Sequence, residues 1–189
     1  MEKIYLGYLS VLIGFTACLP YFYYIWKRQV RPHAFTYFIW VLTASCLALA
    51  QTQSGAGSGA WLTYLYALSC ILITLLALFY HGQRTIYKID WACLALALIS
   101  IGLWIYMKEP LLSILLLTFT DAIGYIPTFV KTYHYPKEES RSLFIMGLFS
   151  AGLAIAAMEI YNLETLAYPV TVIAFNLIVI ALTFGLKRS

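Results

Sequence analysis

The sequence predicts an all-α integral membrane protein of seven transmembrane helices, from its composition, its seven apolar runs and the distribution of its basic residues. The chain has 189 residues, of which 62% are hydrophobic and 11% are charged, and its mean hydropathy is +0.82. A soluble domain usually carries about 25% charged residues. Because so few polar side chains are present, most of the apolar surface must face lipid, and the gaps between the runs leave no room for a soluble domain.

Each apolar run has about the length of a bilayer-spanning helix, which needs roughly 17–25 residues. We place the spans at residues 4–26, 34–52, 60–80, 91–107, 110–130, 142–160 and 167–186. The first run is too long for the apolar part of a signal peptide, so no cleavable signal is predicted. Pro110 suits the first turn of the fifth helix, where its missing N–H leaves no helical hydrogen bond unmade.

The basic residues predict the orientation. Ten of the twelve Lys and Arg residues fall on one side of the predicted spans, and Lys3 and Lys108 fall on the other. Cytoplasmic loops carry the excess of Lys and Arg, so seven spans place the N-terminus outside and the C-terminus in the cytoplasm. The net charge of +4 then follows from topology, and no nucleic-acid partner is expected. Tyr161 and Tyr168 are interpreted as anchors at the outer interface.

A weak internal repeat relates the two halves of the chain. Pro20 and Pro127 lie 107 positions apart, and each is followed by an aromatic-rich helix end and a basic loop with a second proline, Pro32 or Pro136. This predicts a parallel repeat of two three-helix bundles, because one linking helix lets both bundles enter the membrane in the same direction. The predicted units are residues 1–80, a linker helix within 81–109, and residues 110–189.

The two repeat-related prolines predict a gate. Each removes one backbone hydrogen bond near the cytoplasmic end of its helix, and a kink makes a natural hinge. We therefore predict that Pro20, Pro127 and Tyr24 shape an inner gate. The alternative is that both prolines are kinks tolerated by packing.

Asp121 stands out because it is the charged residue near the middle of a predicted span, where a carboxylate is costly and usually functional. It shares one helical face with Tyr125, Thr118 and Gly124 through three- and four-residue steps. Three roles stay open: accepting and releasing a coupling proton, contacting a polar or cationic solute, or acting as a structural hydrogen-bond hub.

Asn176 lies near the middle of the seventh predicted helix, and its repeat counterparts in the third are Ser69 and Cys70. An amide there could bind a hydroxyl-bearing or amide-bearing solute, or it could cross-link helices. The predicted substrate-binding residues are thus Asp121, Asn176, Tyr125, Ser69 and Cys70.

The sequence offers no pattern for catalysis. The four cysteines lie inside apolar runs without metal-ligand spacing, and no nucleophile turn is visible. The Gly-rich segment at residues 54–59 lacks the lysine of a phosphate-binding loop, so we interpret it as a flexible outer linker. No catalytic residue, metal or cofactor is predicted, and the chain is not expected to be an enzyme.

Seven helices in a three-one-three arrangement, the paired prolines Pro20 and Pro127, and the mid-helix Asn176 together resemble the SWEET and PQ-loop superfamily over the whole chain. The chain departs from that superfamily where Tyr21 and Thr128, instead of glutamine, follow the prolines. The segment from Asp121 to Thr128 also resembles bacterial membrane proteins of unassigned function. The resemblance implies alternating access, in which two bundles rock around a site at mid-membrane depth.

We therefore expect a transporter in the bacterial inner membrane for a small polar metabolite such as a sugar, an amino acid or a nucleoside-like solute, with Asp121 as the candidate for proton coupling. The alternative is a non-transporting receptor, sensor or assembly subunit on the same fold, with a partner surface between Lys131 and Arg141. The expected partners are the lipid bilayer and the solute, and a homo-oligomer stays open.

Overall fold

The computed structural model describes residues 2–29, 32–80, 86, 88–107, 110–134 and 141–185. Within these ranges every regular element is a helix, and a short 3₁₀ turn at Gly57–Ala60 precedes the third helix. The seven α-helices are α1 (Glu2–Trp26), α2 (Ala34–Gln53), α3 (Trp61–Phe79), α4 (Lys88–Met107), α5 (Pro110–His134), α6 (Arg141–Ala156) and α7 (Leu163–Gly185).

Four helical segments of the described chain are long and apolar enough to cross a membrane: Glu2–Trp26, Ala34–Gln53, Gly57–Phe79 and Leu163–Phe184. Helices α4, α5 and α6 contain shorter apolar stretches. The prediction of an all-helical membrane protein is confirmed at this level. The number of spans, the repeat and the orientation of the termini stay predictions.

Helix α1 shows how side-chain size is arranged between the interior and the outer surface. Its buried residues include Gly7, Ser10, Gly14 and Ala17, which recur every three or four positions on one face. Large apolar side chains such as Tyr5 (70% exposed) lie on the opposite face. Small residues facing neighbouring helices and large apolar residues facing outward are typical of helices packed within lipid.

The helices pair in a regular way. Helix α3 packs against both α1 and α2, and α7 packs against both α5 and α6. Between these triplets α1 packs on α6, and α2 packs on α5. The two triplets are therefore equivalent in their packing. If α1, α2 and α3 are replaced by α5, α6 and α7, respectively, and the reverse, each helix pair named above becomes another pair that is also observed. Helix α4 lies along α5 and α2.

The hydrophobic core lies where the two triplets meet. It contains Leu47 of α2, Leu62 of α3 and Leu117 of α5, with Ala151 of α6 and Tyr168 of α7, all buried. The core is therefore shared by both triplets.

The α2–α3 and α6–α7 loops are joined by backbone hydrogen bonds, and we call residues 54–60 and 157–162 the closed end. The Glu159 N–H donates to the Ala56 carbonyl (3.3 Å), and the Ile160 N–H donates to the Gly55 carbonyl (3.1 Å). Gly55 has φ +86 and Gly57 φ +56, a backbone region that glycine adopts without steric cost.

The start of α1 also belongs to this assembly. The Ser58 hydroxyl lies within hydrogen-bonding distance of two carbonyl oxygens, that of Lys3 (2.9 Å) and that of Ala157 (3.0 Å), and the Lys3 ammonium bonds the Met158 carbonyl. Ala56, Ser58 and the residues that follow up to Ala60 are buried. The prediction of a flexible linker at residues 54–59 is therefore wrong, because hydrogen bonds between loops fix this segment.

Helix α7 begins earlier than predicted, at Leu163, and α6 ends earlier, at Ala156. The start of α7 is a reciprocal cap: the Thr165 N–H donates to Asn162 Oδ1 (2.8 Å), and the Asn162 N–H donates to Thr165 Oγ1 (3.1 Å). Pro169 consequently lies inside the helix.

Candidate functional site

Asp121 lies within the helix bundle near the middle of α5. The residue is half-buried, because part of its surface stays accessible. Among the described residues, no hydrogen bond or ion pair to its carboxyl group is found. A polar group without a partner at such a position is unusual, because buried polar groups are nearly always hydrogen-bonded.

Four side chains lie within electrostatic range of Asp121: Tyr66 and Cys70 of α3, Tyr125 of α5 and Tyr168 of α7. These four residues with Asp121 form what we call the Asp121 site. Its side chains come from α3, α5 and α7. No cation of the described chain interacts with the carboxyl group, so the site combines one acidic group with hydroxyls, a thiol and rings.

Three aromatic rings from α5 and α7 pack together next to this site, and we call them the aromatic wall. The ring centroids of Tyr125 and Phe175 are 5.0 Å apart, and those of Phe129 and Phe175 are 5.3 Å apart. Each of the three side chains keeps part of its surface accessible. Since Tyr125 belongs to both groups, the aromatic wall continues the Asp121 site along α5.

The Thr118 hydroxyl is buried and has no hydrogen-bond partner among the described residues. Thr118 lies three positions before Asp121, on the same face of α5. An unbonded buried hydroxyl normally indicates a missing partner. Two consecutive turns of one helix face thus carry unpaired polar groups.

Ser69 and Cys70 point in different directions. Ser69 is buried and hydrogen-bonds Cys18 of α1, whereas Cys70 lies within electrostatic range of Asp121. Of this predicted pair, the structure therefore brings Cys70 to the Asp121 site and places Ser69 against α1.

Asn176 is buried, with 5% of its surface exposed, and lies against α6. A Cβ atom added to Gly147 would be 2.8 Å from Asn176 Nδ2, so the amide fills the space above that glycine. This position is at the contact between α6 and α7. A contact between Asn176 and a solute stays a prediction.

The predicted gate residues are exposed or have side chains outside the described residues. Pro20 is inside α1 with an exposed side chain, and Tyr24 is 45% exposed. The side chain of Pro127 lies outside the described residues, as does most of the proposed partner surface between Lys131 and Arg141. Near Pro20, the Tyr37 hydroxyl donates to the Tyr21 hydroxyl (2.9 Å), which links α1 to α2.

Sequence reasoning missed Tyr66 and Tyr168. Tyr168 was assigned to the outer aromatic belt, but it is 5% exposed and belongs to the Asp121 site. The capping residues Asn162 and Thr165 could have indicated that α7 starts at Leu163. With that start, Tyr168 lies in the second turn of α7 and not at its outer end.

Gln51 was also missed. It is fully buried in α2, and its Nε2 donates to the Thr165 carbonyl (3.2 Å). That carbonyl is the one that Pro169, four positions later, leaves without its helical donor. Gln51 Oε1 in turn accepts a hydrogen bond from the Thr63 hydroxyl (2.7 Å). One side chain thereby links α2, α3 and α7 beside the closed end.

No protein-family model, curated protein or solved structure matches the chain. The described residues form an all-helical protein with four helical segments apolar enough to cross a membrane and with an acidic group, Asp121, among aromatic residues. The resemblance to the SWEET and PQ-loop superfamily stays a prediction.

Proposed function

We propose that the chain is a membrane transporter for a small polar solute and that the solute binds at the Asp121 site. The observation that carries this proposal is the Asp121 carboxyl group, which lies near the middle of α5, keeps accessible surface and has no partner among the described residues. An ionisable residue inside a membrane bundle generally marks a substrate or ion pathway.

The helix pairings support alternating access as the mechanism. The set of pairings is unchanged when the first triplet is exchanged for the second, as in a parallel repeat about an axis along the membrane normal. The proposal therefore includes seven spans, bundles at residues 1–80 and 110–189, and α4 as the linker. Rocking of one bundle against the other would expose the Asp121 site to each side in turn.

The charge distribution supports the proposed orientation, with the N-terminus outside and the C-terminus in the cytoplasm of a bacterial inner membrane. In this orientation the closed end is the outer end. The proposal therefore includes an arrangement in which the outer side is shut.

Flux through proteoliposomes tests the proposal. The purified chain is reconstituted, and uptake of labelled sugars, amino acids, nucleosides and amines is compared with uptake by protein-free vesicles. We expect at least one class to be carried. Asp121→Asn should lower that rate about tenfold or more, since losing a charge-assisted hydrogen bond costs roughly 1.5–3 kcal/mol.

Glu164→Gln is the matched control, because it removes an acidic charge from the first turn of α7 and should leave the rate unchanged. A correctly folded, reconstituted chain that carries none of these solutes contradicts the proposal and favours the receptor or assembly-subunit alternative. In a further test, the medium outside the vesicles is made more acidic than the lumen. If this inwardly directed proton gradient accelerates uptake by the wild type but not by Asp121→Asn, proton coupling is assigned to this residue.

A further inference from the structure

The neighbours of Asp121 restrict what could neutralise its charge. The described groups in electrostatic range are the hydroxyls of Tyr66, Tyr125 and Tyr168 and the thiol of Cys70. None of them is a cation. An ionised carboxylate away from water is stable when a positive charge accompanies it. Because the described chain provides no positive charge there, a positively charged ligand would supply the charge that balances the Asp121 carboxylate.

The aromatic wall favours the same kind of ligand. Tyr125, Phe129 and Phe175 pack with centroid separations between 5.0 and 6.0 Å and keep accessible surface. The face of an aromatic ring attracts an organic cation, and ammonium compounds are recognised by groups of such rings.

The Thr118 hydroxyl, which has no hydrogen-bond partner among the described residues, suggests a second property of the ligand, a hydrogen-bonding group. Thr118 and Tyr125 lie on either side of Asp121 on one face of α5, seven residues apart. At 1.5 Å per residue, this stretch of helix is about 10 Å long. The stretch from the aromatic wall past the carboxylate to Thr118 therefore has the length of a small ligand with a cationic head and a hydrogen-bonding group.

We propose that the Asp121 site selects a small organic ammonium compound that also bears a hydroxyl or another hydrogen-bonding group. This inference rests on the transporter function proposed above and names its substrate class. The cationic head lies between the Asp121 carboxylate and the aromatic wall, and the polar end reaches Thr118.

A matched pair of probes tests the charge requirement. Choline has a quaternary ammonium head and a hydroxyl, and its uncharged isostere has a tert-butyl group in place of the trimethylammonium. Binding of both to the purified full chain is measured by calorimetry. We expect choline to bind about tenfold or more tightly than the isostere, because the cation–π attraction and the carboxylate act on the charged head alone.

Three variants make the test specific. Asp121→Asn should remove the preference for choline, and Phe175→Leu should weaken choline binding several-fold without changing the affinity for the isostere. Glu164→Gln should change neither affinity. Circular dichroism and size-exclusion chromatography check the fold of each variant, and Phe175→Leu keeps the inference testable if Asp121→Asn does not fold.

The outcomes separate this inference from the proposed function. Equal binding of both probes, tighter binding of the isostere, or no binding of either overturns the inference. Flux of a neutral solute without preference for ammonium compounds also overturns it, while the transporter proposal stands. Selective binding of choline without flux of any solute leaves the ligand class intact and contradicts transport.

Discussion

At Gly124 the backbone of α5 lies against the ring of Trp40 in α2. A Cβ atom added there would be 2.5 Å from Trp40 Cζ2 and 2.7 Å from Nε1, which is too close for any real contact. Both neighbours of this glycine along the helix face, Asp121 and Tyr125, belong to the Asp121 site. The absence of a side chain at Gly124 thus lets Trp40 of α2 pack against α5 beside the Asp121 site.

We predict that Gly124→Ala destabilises the protein by about 1–3 kcal/mol, the usual effect of overpacking. The measurement is thermal unfolding in detergent, followed by circular dichroism. Adding Trp40→Leu to Gly124→Ala should recover part of the loss, because the smaller side chain makes room for the methyl group.

Gly152→Ala is the control for this prediction. A Cβ atom at Gly152 would meet nothing within 4 Å, and alanine is favoured over glycine inside a helix by about 1 kcal/mol. This variant should therefore unfold at the wild-type temperature or above it. Similar losses in both glycine variants would contradict the packing argument.

At the residue level, the sequence is most informative where a polar group interrupts an apolar run. Asp121 is singled out because a carboxylate at mid-span has few structural explanations, and Tyr125 by its helical spacing from Asp121; their role in binding stays a prediction. Tyr66 and Tyr168 were not found, because a tyrosine near a span end is usually an interfacial anchor. Their burial depends on which helices pack together, which no local pattern specifies.

Helix α7 contains a proline whose structural cost is offset by another helix. Pro169 leaves the Thr165 carbonyl without its helical donor, and the Gln51 amide of α2 donates to it at 3.2 Å. The same amide accepts from Thr63 of α3. The proline in α7 and the attachment of α7 to α2 and α3 are therefore linked through the same carbonyl group.

We predict that Gln51→Leu costs about 1–3 kcal/mol of stability, since it leaves two buried polar groups unpaired. Pro169→Ala restores an N–H donor for Thr165. The double variant should accordingly lose less than the sum of the two single variants, with an interaction energy of about 0.5–3 kcal/mol in a double-mutant cycle.

Gln53→Leu serves as the matched control, because Gln53 lies two positions further along α2 and is exposed. It should leave the unfolding temperature nearly unchanged. Additive effects of Gln51→Leu and Pro169→Ala would show that the amide does not compensate the proline.

Element existence was easier to predict than element ends. The apolar runs located all seven helices, but α7 was predicted four residues late because its first turn contains Glu164 and Thr165, which are polar. The closed end was misjudged for a different reason. Its Gly and Ser composition is typical of a flexible linker, whereas its order comes from backbone hydrogen bonds between two loops far apart in the sequence.

For the whole molecule, the charge distribution makes the orientation testable. Green fluorescent protein fused after Ser189 should fluoresce in a bacterial host, since it folds in the cytoplasm, and alkaline phosphatase fused there should be inactive. Phosphatase inserted after Ser58 in the closed end should be active if that end faces outward. Membrane fractionation confirms that each fusion is inserted, and the reverse pattern of signals would contradict the proposed topology.

In the proposed transporter, exposing the Asp121 site at the closed end means breaking the bonds from residues 159 and 160 to residues 55 and 56, together with those of Ser58 and Lys3. Each of these bonds contributes about 0.5–1.5 kcal/mol net, so opening this end has a cost that other interactions must offset. A ligand can shift the equilibrium between the shut and open arrangements by no more than the difference between its affinities for the two. The solute of the proposed transporter must therefore bind the open arrangement more tightly than the shut one in order to favour opening.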